Sequence, residues 1–158
     1  MLNQMQLTQI LAPGAVKSFP KATSKKRLFC DLADIAQSVH GLSQQDALAA
    51  LQEREALGPT GVGDGVALPH ARIAGLDGVH GVFVRLEQPL EFEALDRKPV
   101  DLIFALFAPE DAGVVHLKAL ALVSRTLRDP ALRAKLRKNA DANILYTVLT
   151  ESQTSQAA

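Results

Sequence analysis

The sequence predicts a single α/β (α+β) domain in which a mixed central β-sheet is flanked by helices on both faces. Three observations predict it. The hydrophobic period is helical from Ser24 to Leu57, changes to two between Val66 and Phe107, and becomes helical again from Gly113. The run Val100–Phe107, VDLIFALF, is almost continuously apolar, which suits a central strand covered on both sides. At 158 residues the chain is about one domain long, a size that buries roughly 70% of the surface of its unfolded chain.

The elements follow in order. Ala15–Phe19 alternates and reads as a short edge strand. Leu28, Leu32, Ile35, Ala36 and Val39 then form a helical stripe, with Ser24 as N-cap and Gly41 as stop. Ser43 and Asp46 have the spacing of a capping box, opening a second helix carried by Ala47, Leu48 and Leu51 and ended by Leu57-Gly58-Pro59. After a glycine-rich stretch, Val66–Leu68 reads as a short strand. Val82, Val84 and Leu86 alternate with Gly81, Phe83 and Arg85 in another. Pro89–Pro99 reads as a hairpin or an edge strand with turns, and Pro109–Gly113 as a loop. Helices are expected over Gly113–Arg128, Pro130–Lys138 and Ala142–Thr150. Residues 152–158, SQTSQAA, have little to bury and are expected to form a disordered tail.

Composition excludes several classes of function. Lys plus Arg equals Asp plus Glu, 17 against 17, which gives no basic footprint for nucleic acid or an anionic membrane. A single cysteine, Cys30, rules out an internal disulfide and a multi-cysteine metal site. No apolar run approaches a membrane span, and the N-terminus lacks the basic and apolar regions of a signal peptide. The expectation is a soluble cytoplasmic protein without membrane insertion. Its oligomeric state, homo-oligomer included, stays open.

The stretch Gly61–Arg72, GVGDGVALPHAR, carries the chemistry. It is not a phosphate loop: Gly58 and Gly63 have that spacing, but Asp64-Gly65 stands where Lys-Ser/Thr is required. It is not a dinucleotide fingerprint either, because Val66 replaces the third small residue and a strand follows instead of a helix. The glycines supply tight turning. His40, His70, His80 and His116 are too far apart in sequence for a short-range metal motif, and no cofactor is implied. No G-x-S-x-G elbow marks a serine hydrolase.

Individually, His40 reads as a helix C-terminal residue interacting with the dipole, and His80 as an exposed residue at a strand entrance. His116 falls in the first turn of the Gly113–Arg128 helix, where anions are favoured. Arg54 continues an apolar stripe with a guanidinium. Either its stem lies along the core edge or it anchors an anion. The basic residues Arg125, Arg128, Arg133, Lys135, Arg137 and Lys138 read as a solvated face or a partner surface.

Taken together, LQEREALGPTGVGDGVALPHARI, GVFVRLEQPLEFEALDRKPVDLIFALFAP and HLKALALVSRTLRD resemble the enzyme IIA domain of the fructose/mannitol class of the bacterial phosphotransferase system. Within it, the nitrogen-regulatory subgroup is the most similar. The resemblance spans residues 7–151 and implies a mannitol-type IIA fold. It implies that His70 accepts a phosphoryl group, that His116 stabilises it, that Arg54 anchors it and that Thr60 donates a hydrogen bond to the phosphate or the site. The phosphoryl donor so implied is an HPr-type phosphocarrier protein, and regulated target proteins are the further partners. On this view the chain is a phosphotransferase only in the sense of a phosphohistidine-forming carrier. Nε2 of His70 is expected to attack while Nδ1–H donates to a backbone carbonyl.

Two other functions stand beside this one. The first is a IIA component of sugar import that passes phosphate to a IIB domain. The second is a non-catalytic binding module on the same fold. Ala71 departs from the glycine many members have after the histidine, and Asp64 occupies a variable polar position.

Overall fold

The computed structural model describes residues 5–157. Its middle layer is a six-stranded mixed sheet of β1 (Val16–Phe19), β2 (Gly61–Gly63), β3 (Val66–Ala67), β4 (His70–Ile73), β5 (His80–Leu90) and β6 (Val100–Pro109). The order is β1-β5-β6-β3-β2, with β4 also on β6. β5 and β6 are antiparallel; β3 and β4 run parallel to β6, and β1 runs parallel to β5. The central position expected for VDLIFALF is where β6 lies, and Leu102 to Ala108 are fully buried.

Helices cover both faces. α2 (Lys25–His40) and α3 (Gln44–Ala56) pack on each other and reach β5 and β4. α4 (Gly113–Leu127), α5 (Pro130–Lys138) and α6 (Ala142–Ala157) form a second group against β6, β5 and β1, joined by the short α1 (Leu7–Ile10). The expected caps are formed: Ser24 Oγ accepts from Arg27 N at 3.0 Å, Ser43 Oγ accepts from Asp46 N at 3.3 Å, and Gly41 is left-handed at φ 75°. Phe83 and Phe104 meet in the core as a tilted pair, 6.1 Å between centroids. Such pairing contributes about 0.5–1.5 kcal/mol beyond area burial.

The glycine stretch makes the tight turn expected of it, and that turn closes a hairpin. Asp64 and Gly65 have φ of 58° and 80°, and Gly63 pairs with Val66. Two successive positive φ values make a two-residue hairpin, so β2 and β3 are its arms. Beyond β3 the strand resumes as β4 in the same register on β6, Val66 opposite Leu102 and His70 opposite Leu106. Pro69, lacking an N–H, marks the break. His70 therefore opens a strand beyond the short one expected over Val66–Leu68.

Other differences are smaller. Pro89–Pro99 forms the irregular connection of the β5–β6 hairpin, which closes at Leu90 opposite Val100. α1 was not anticipated. α6 carries helical backbone to Ala157, past the Glu151 boundary, because no glycine or proline interrupts it. Arg85 is a buried guanidinium with three acceptors, the carbonyls of Leu136 and Arg137 and Ser18 Oγ, and so it holds the C-terminus of α5. Of the basic residues in the last helices, Arg137 binds Asp101 and Arg133 donates to the carbonyls of Leu127 and Arg128. Arg125, Arg128, Lys135 and Lys138 are exposed. Among the described residues, no helix is long and apolar enough to cross a membrane.

Candidate functional site

Three elements converge at the C-terminal end of β6. α3 packs against β4 and brings Arg54, in its last turn, to His70. α4 begins four residues beyond β6 and carries His116 in its first turn, where its N–H donates to Ala112 O at 2.8 Å.

His70 Nδ1 lies 2.8 Å from the carbonyl oxygen of Leu68. A carbonyl only accepts, so this contact places the ring proton on Nδ1 and leaves the lone pair on Nε2. Arg54 Nε donates to that Nε2 at 3.3 Å, and Arg54 Nη1 donates to Gly58 O at 3.0 Å. Of the two sequence readings for Arg54, the guanidinium is thus directed at the histidine. Burial lowers the His70 pKa from its usual 6.5; the Leu68 carbonyl and Glu55 oppose the shift, while Arg54 and Arg72 add to it. The net direction is down, and the ring is neutral at pH 7.

His116 stands beside it, with 5.5 Å between ring centroids and 48° between planes. Its depth was not legible in the sequence: it is 4% exposed, and its Nδ1 is buried without a hydrogen-bond partner among the described residues. Burial lowers its pKa as well, helped by His70 and Arg72. Two neutral imidazoles, the guanidiniums of Arg54 and Arg72 and the carboxylates of Glu53 and Glu110 line one open cleft of about 570 Å³, walled by Leu57, Leu117 and Leu120. Ala71, 5% exposed, forms part of the same wall.

Thr60 is elsewhere. It is 3% exposed and does not line the cleft. Its hydroxyl donates to Glu55 Oε1 at 2.6 Å and its N–H donates to Glu55 Oε2 at 3.0 Å. Asp64 is in the hairpin turn, where its carbonyl accepts from Arg137. His40 and His80 form a separate pair, 4.7 Å between centroids, with His40 Nε2 donating to Gly81 O at 2.9 Å. Burial lowers the His40 pKa, so it is not the charged dipole partner the sequence suggested. His80 is partly buried, not exposed, and lies 3.3 Å from Asp77 Oδ1.

Glu55, Lys25 and Arg72 were missed. Arg72 was within reach of sequence reasoning, because in a strand residues i and i+2 share a face, but only if His70 is placed in a strand. Glu55 is next to Arg54 in the REALGPTG motif. Nothing in the sequence marks Lys25. Among the described residues no group of three or more His, Cys, Asp or Glu side chains is placed to hold a metal.

Chemically, the cleft presents an unprotonated nitrogen beside cations, with its ring fixed by a backbone carbonyl. That suits a nucleophile toward an anionic electrophile, because the cations offset the incoming charge.

Known proteins share this arrangement of chain. Residues 9–152 match the family described as "Phosphoenolpyruvate-dependent sugar phosphotransferase system, EIIA 2". A nitrogen regulatory protein of Bradyrhizobium diazoefficiens is 44% identical over 145 residues, 92% of this chain and 95% of that protein. The crystal structure of the nitrogen regulatory protein IIA-Ntr from Neisseria meningitidis superposes with a TM-score of 0.85 at 36% identity, covering 91% of this chain and 99% of that one. The mannitol IIA of Escherichia coli has the same fold, with a TM-score of 0.71 at 19% identity over 86% of this chain and 97% of that one.

Proposed function

The chain belongs to the EIIA 2 family of the phosphoenolpyruvate-dependent sugar phosphotransferase system, and from that premise we propose that it is a regulatory phosphocarrier charged on His70 Nε2 by an HPr-type protein. The observation that carries the reading is the fixed tautomer: Nδ1–H on the Leu68 carbonyl, Nε2 facing Arg54.

The transfer balances without a proton relay. The Arg54 Nε–H leaves the Nε2 lone pair, which attacks the phosphorus carried on a histidine of the donor protein. The old N–P bond breaks, and its electron pair returns to the donor's imidazole. Nδ1 keeps its proton, so the phosphorylated ring gains positive charge, which the Leu68 carbonyl dipole stabilises. Arg54 and Arg72 offset the phosphoryl oxygens, and the catalysis rests on positioning and charge. His116, neutral and buried, lines the same cleft beside the ring, where it stabilises the phosphoryl group.

A protein donor fits the rim. Leu57 and Leu117 are 83% and 62% exposed, and Val114 on the first turn of α4 is 66% exposed. Apolar side chains around a polar centre favour docking of another protein surface. Phosphorylation adds about −1.5 to −2 charges by analogy with phosphoesters, so this face becomes more negative, and target proteins distinguish the two forms. The names of relatives such as the Bradyrhizobium protein favour this regulatory role over sugar import.

The test follows phosphate from phosphoenolpyruvate through enzyme I and the carrier by phosphorus NMR. An acid-labile, base-stable phosphoramidate signal on this chain is expected. Rapid onward transfer to a sugar-specific IIB domain would assign it to import instead, and no signal at all would leave a binding module.

A further inference from the structure

We infer that Glu55 and Thr60, braced by Lys25, form a positioning clamp that sets the Arg54 guanidinium on Nε2 of His70. The inference rests on the phosphocarrier reading for its kinetic consequence, but not for its geometry.

The clamp closes the turn after α3. Glu55 uses both carboxylate oxygens on Thr60, Oε1 on the hydroxyl and Oε2 on the N–H. Inside the loop thus closed is Gly58, whose carbonyl holds Arg54 Nη1. Fixing Thr60 to Glu55 fixes Gly58, and Gly58 orients the fork whose Nε reaches His70. The hydroxyl of Thr60 is committed to the carboxylate and contributes nothing to the cleft.

Lys25 makes the arrangement tenable. A bare carboxylate one residue from Arg54 would compete with His70 for the guanidinium and repel an incoming phosphoryl group. Lys25 Nζ lies 2.6 Å from Glu55 Oε2, donates to Phe92 O at 3.0 Å and sits 4.3 Å from the Phe92 ring centroid. The Glu55 side chain is only 9% exposed, so the pair is little screened. Lys25 opens α2 and Phe92 comes from the β5–β6 connection. Three separate segments thereby hold the end of α3.

The experiment compares Glu55→Gln, Thr60→Val, their double variant and Thr60→Ser in the full chain. In wild type, the Arg54 Nε–H proton is expected to give a resolved signal through its bond to His70. It is expected to be lost in Glu55→Gln and Thr60→Val and recovered in Thr60→Ser. Single-turnover transfer from the carrier at saturation should fall on the order of 10- to 100-fold in each single variant. The double variant should lose no more than the larger single loss, the carrier KM should be little changed, and Thr60→Ser should restore most of the rate. An intact Arg54 signal and intact rate in Thr60→Val would overturn the clamp. Additive losses, with faster hydrolysis of phosphohistidine in Thr60→Val alone, would also overturn it by placing the hydroxyl on the phosphate. If wild type accepts no phosphate, the phosphocarrier reading fails, and the Arg54 signal still decides the clamp.

Discussion

Arg54 Nε lies 3.3 Å from His70 Nε2 and donates to the lone pair that would attack phosphorus. That bond occupies the only lone pair of the nucleophile, so it orients the resting ring and must be released for attack, which frees the guanidinium to take a phosphoryl oxygen. The same guanidinium helps hold the imidazole neutral.

Replacing Arg54 should show in the transfer step. Loss of one donor aimed at developing charge costs about 10²- to 10³-fold in rate, and Arg54→Ala is expected to fall in that range. Arg54→Lys should be intermediate, since an ammonium supplies charge without the fork that spans His70 and Gly58. Single-turnover transfer from the carrier measures both.

Uptake of phosphate should depend on pH with a definite sign. Only the neutral ring attacks, so the rate rises with pH through the His70 pKa and then levels off. That pKa is lowered from 6.5, chiefly by burial, so the acid limb lies below pH 6.5. Removing Arg54, one of the groups that lowers it, should move the limb to higher pH. A pH–rate profile of wild type with its midpoint at or above 6.5 would count against the geometry.

Stability should fall in mild acid. His40, His70 and His116 all have pKa values lowered in the fold. As pH drops below 6.5 the unfolded chain takes up protons that the folded chain resists, so folding weakens until the folded pKa values are passed. Above 6.5 both states are neutral at these rings and the loss is absent. Melting temperatures from pH 7.5 to 5 should decline, and His40→Gln should flatten part of the decline without touching the cleft.

The hairpin turn should resist substitution. A Cβ on Gly65, at φ 80°, would overlap the Arg137 guanidinium and stand 2.8 Å from Asp101 Oδ1. Gly65→Ala is expected to cost about 1–3 kcal/mol. At Gly78 a Cβ meets nothing within 4 Å, so Gly78→Ala should stay within about 0.5 kcal/mol. Urea denaturation compares the two.

The layers were legible in the sequence, but not how they are joined. Caps at Ser24 and Ser43 and the apolar run of β6 were legible because each is set by neighbouring residues. The tight turning expected of the glycines is present at Asp64-Gly65, but the hairpin it closes was not read from it, and with that strand β4 and the place of Arg72 beside His70 stayed hidden. His70, His116 and Arg54 were found through the family resemblance; their spacing alone left them ordinary. For Thr60 the expectation was a hydrogen bond to the phosphate or the site; that its acceptor is Glu55 was not legible. Its partner Glu55 is close in sequence, but the contact depends on Lys25 and Phe92, which only tertiary packing brings together.

The most direct measurement is site-specific labelling. With radiolabelled phosphoenolpyruvate, enzyme I and the carrier, wild type should gain one acid-labile phosphate per chain, His116→Ala should gain it more slowly, and His70→Ala should gain none. Equal labelling of His70→Ala would contradict the assignment of Nε2 as the nucleophile.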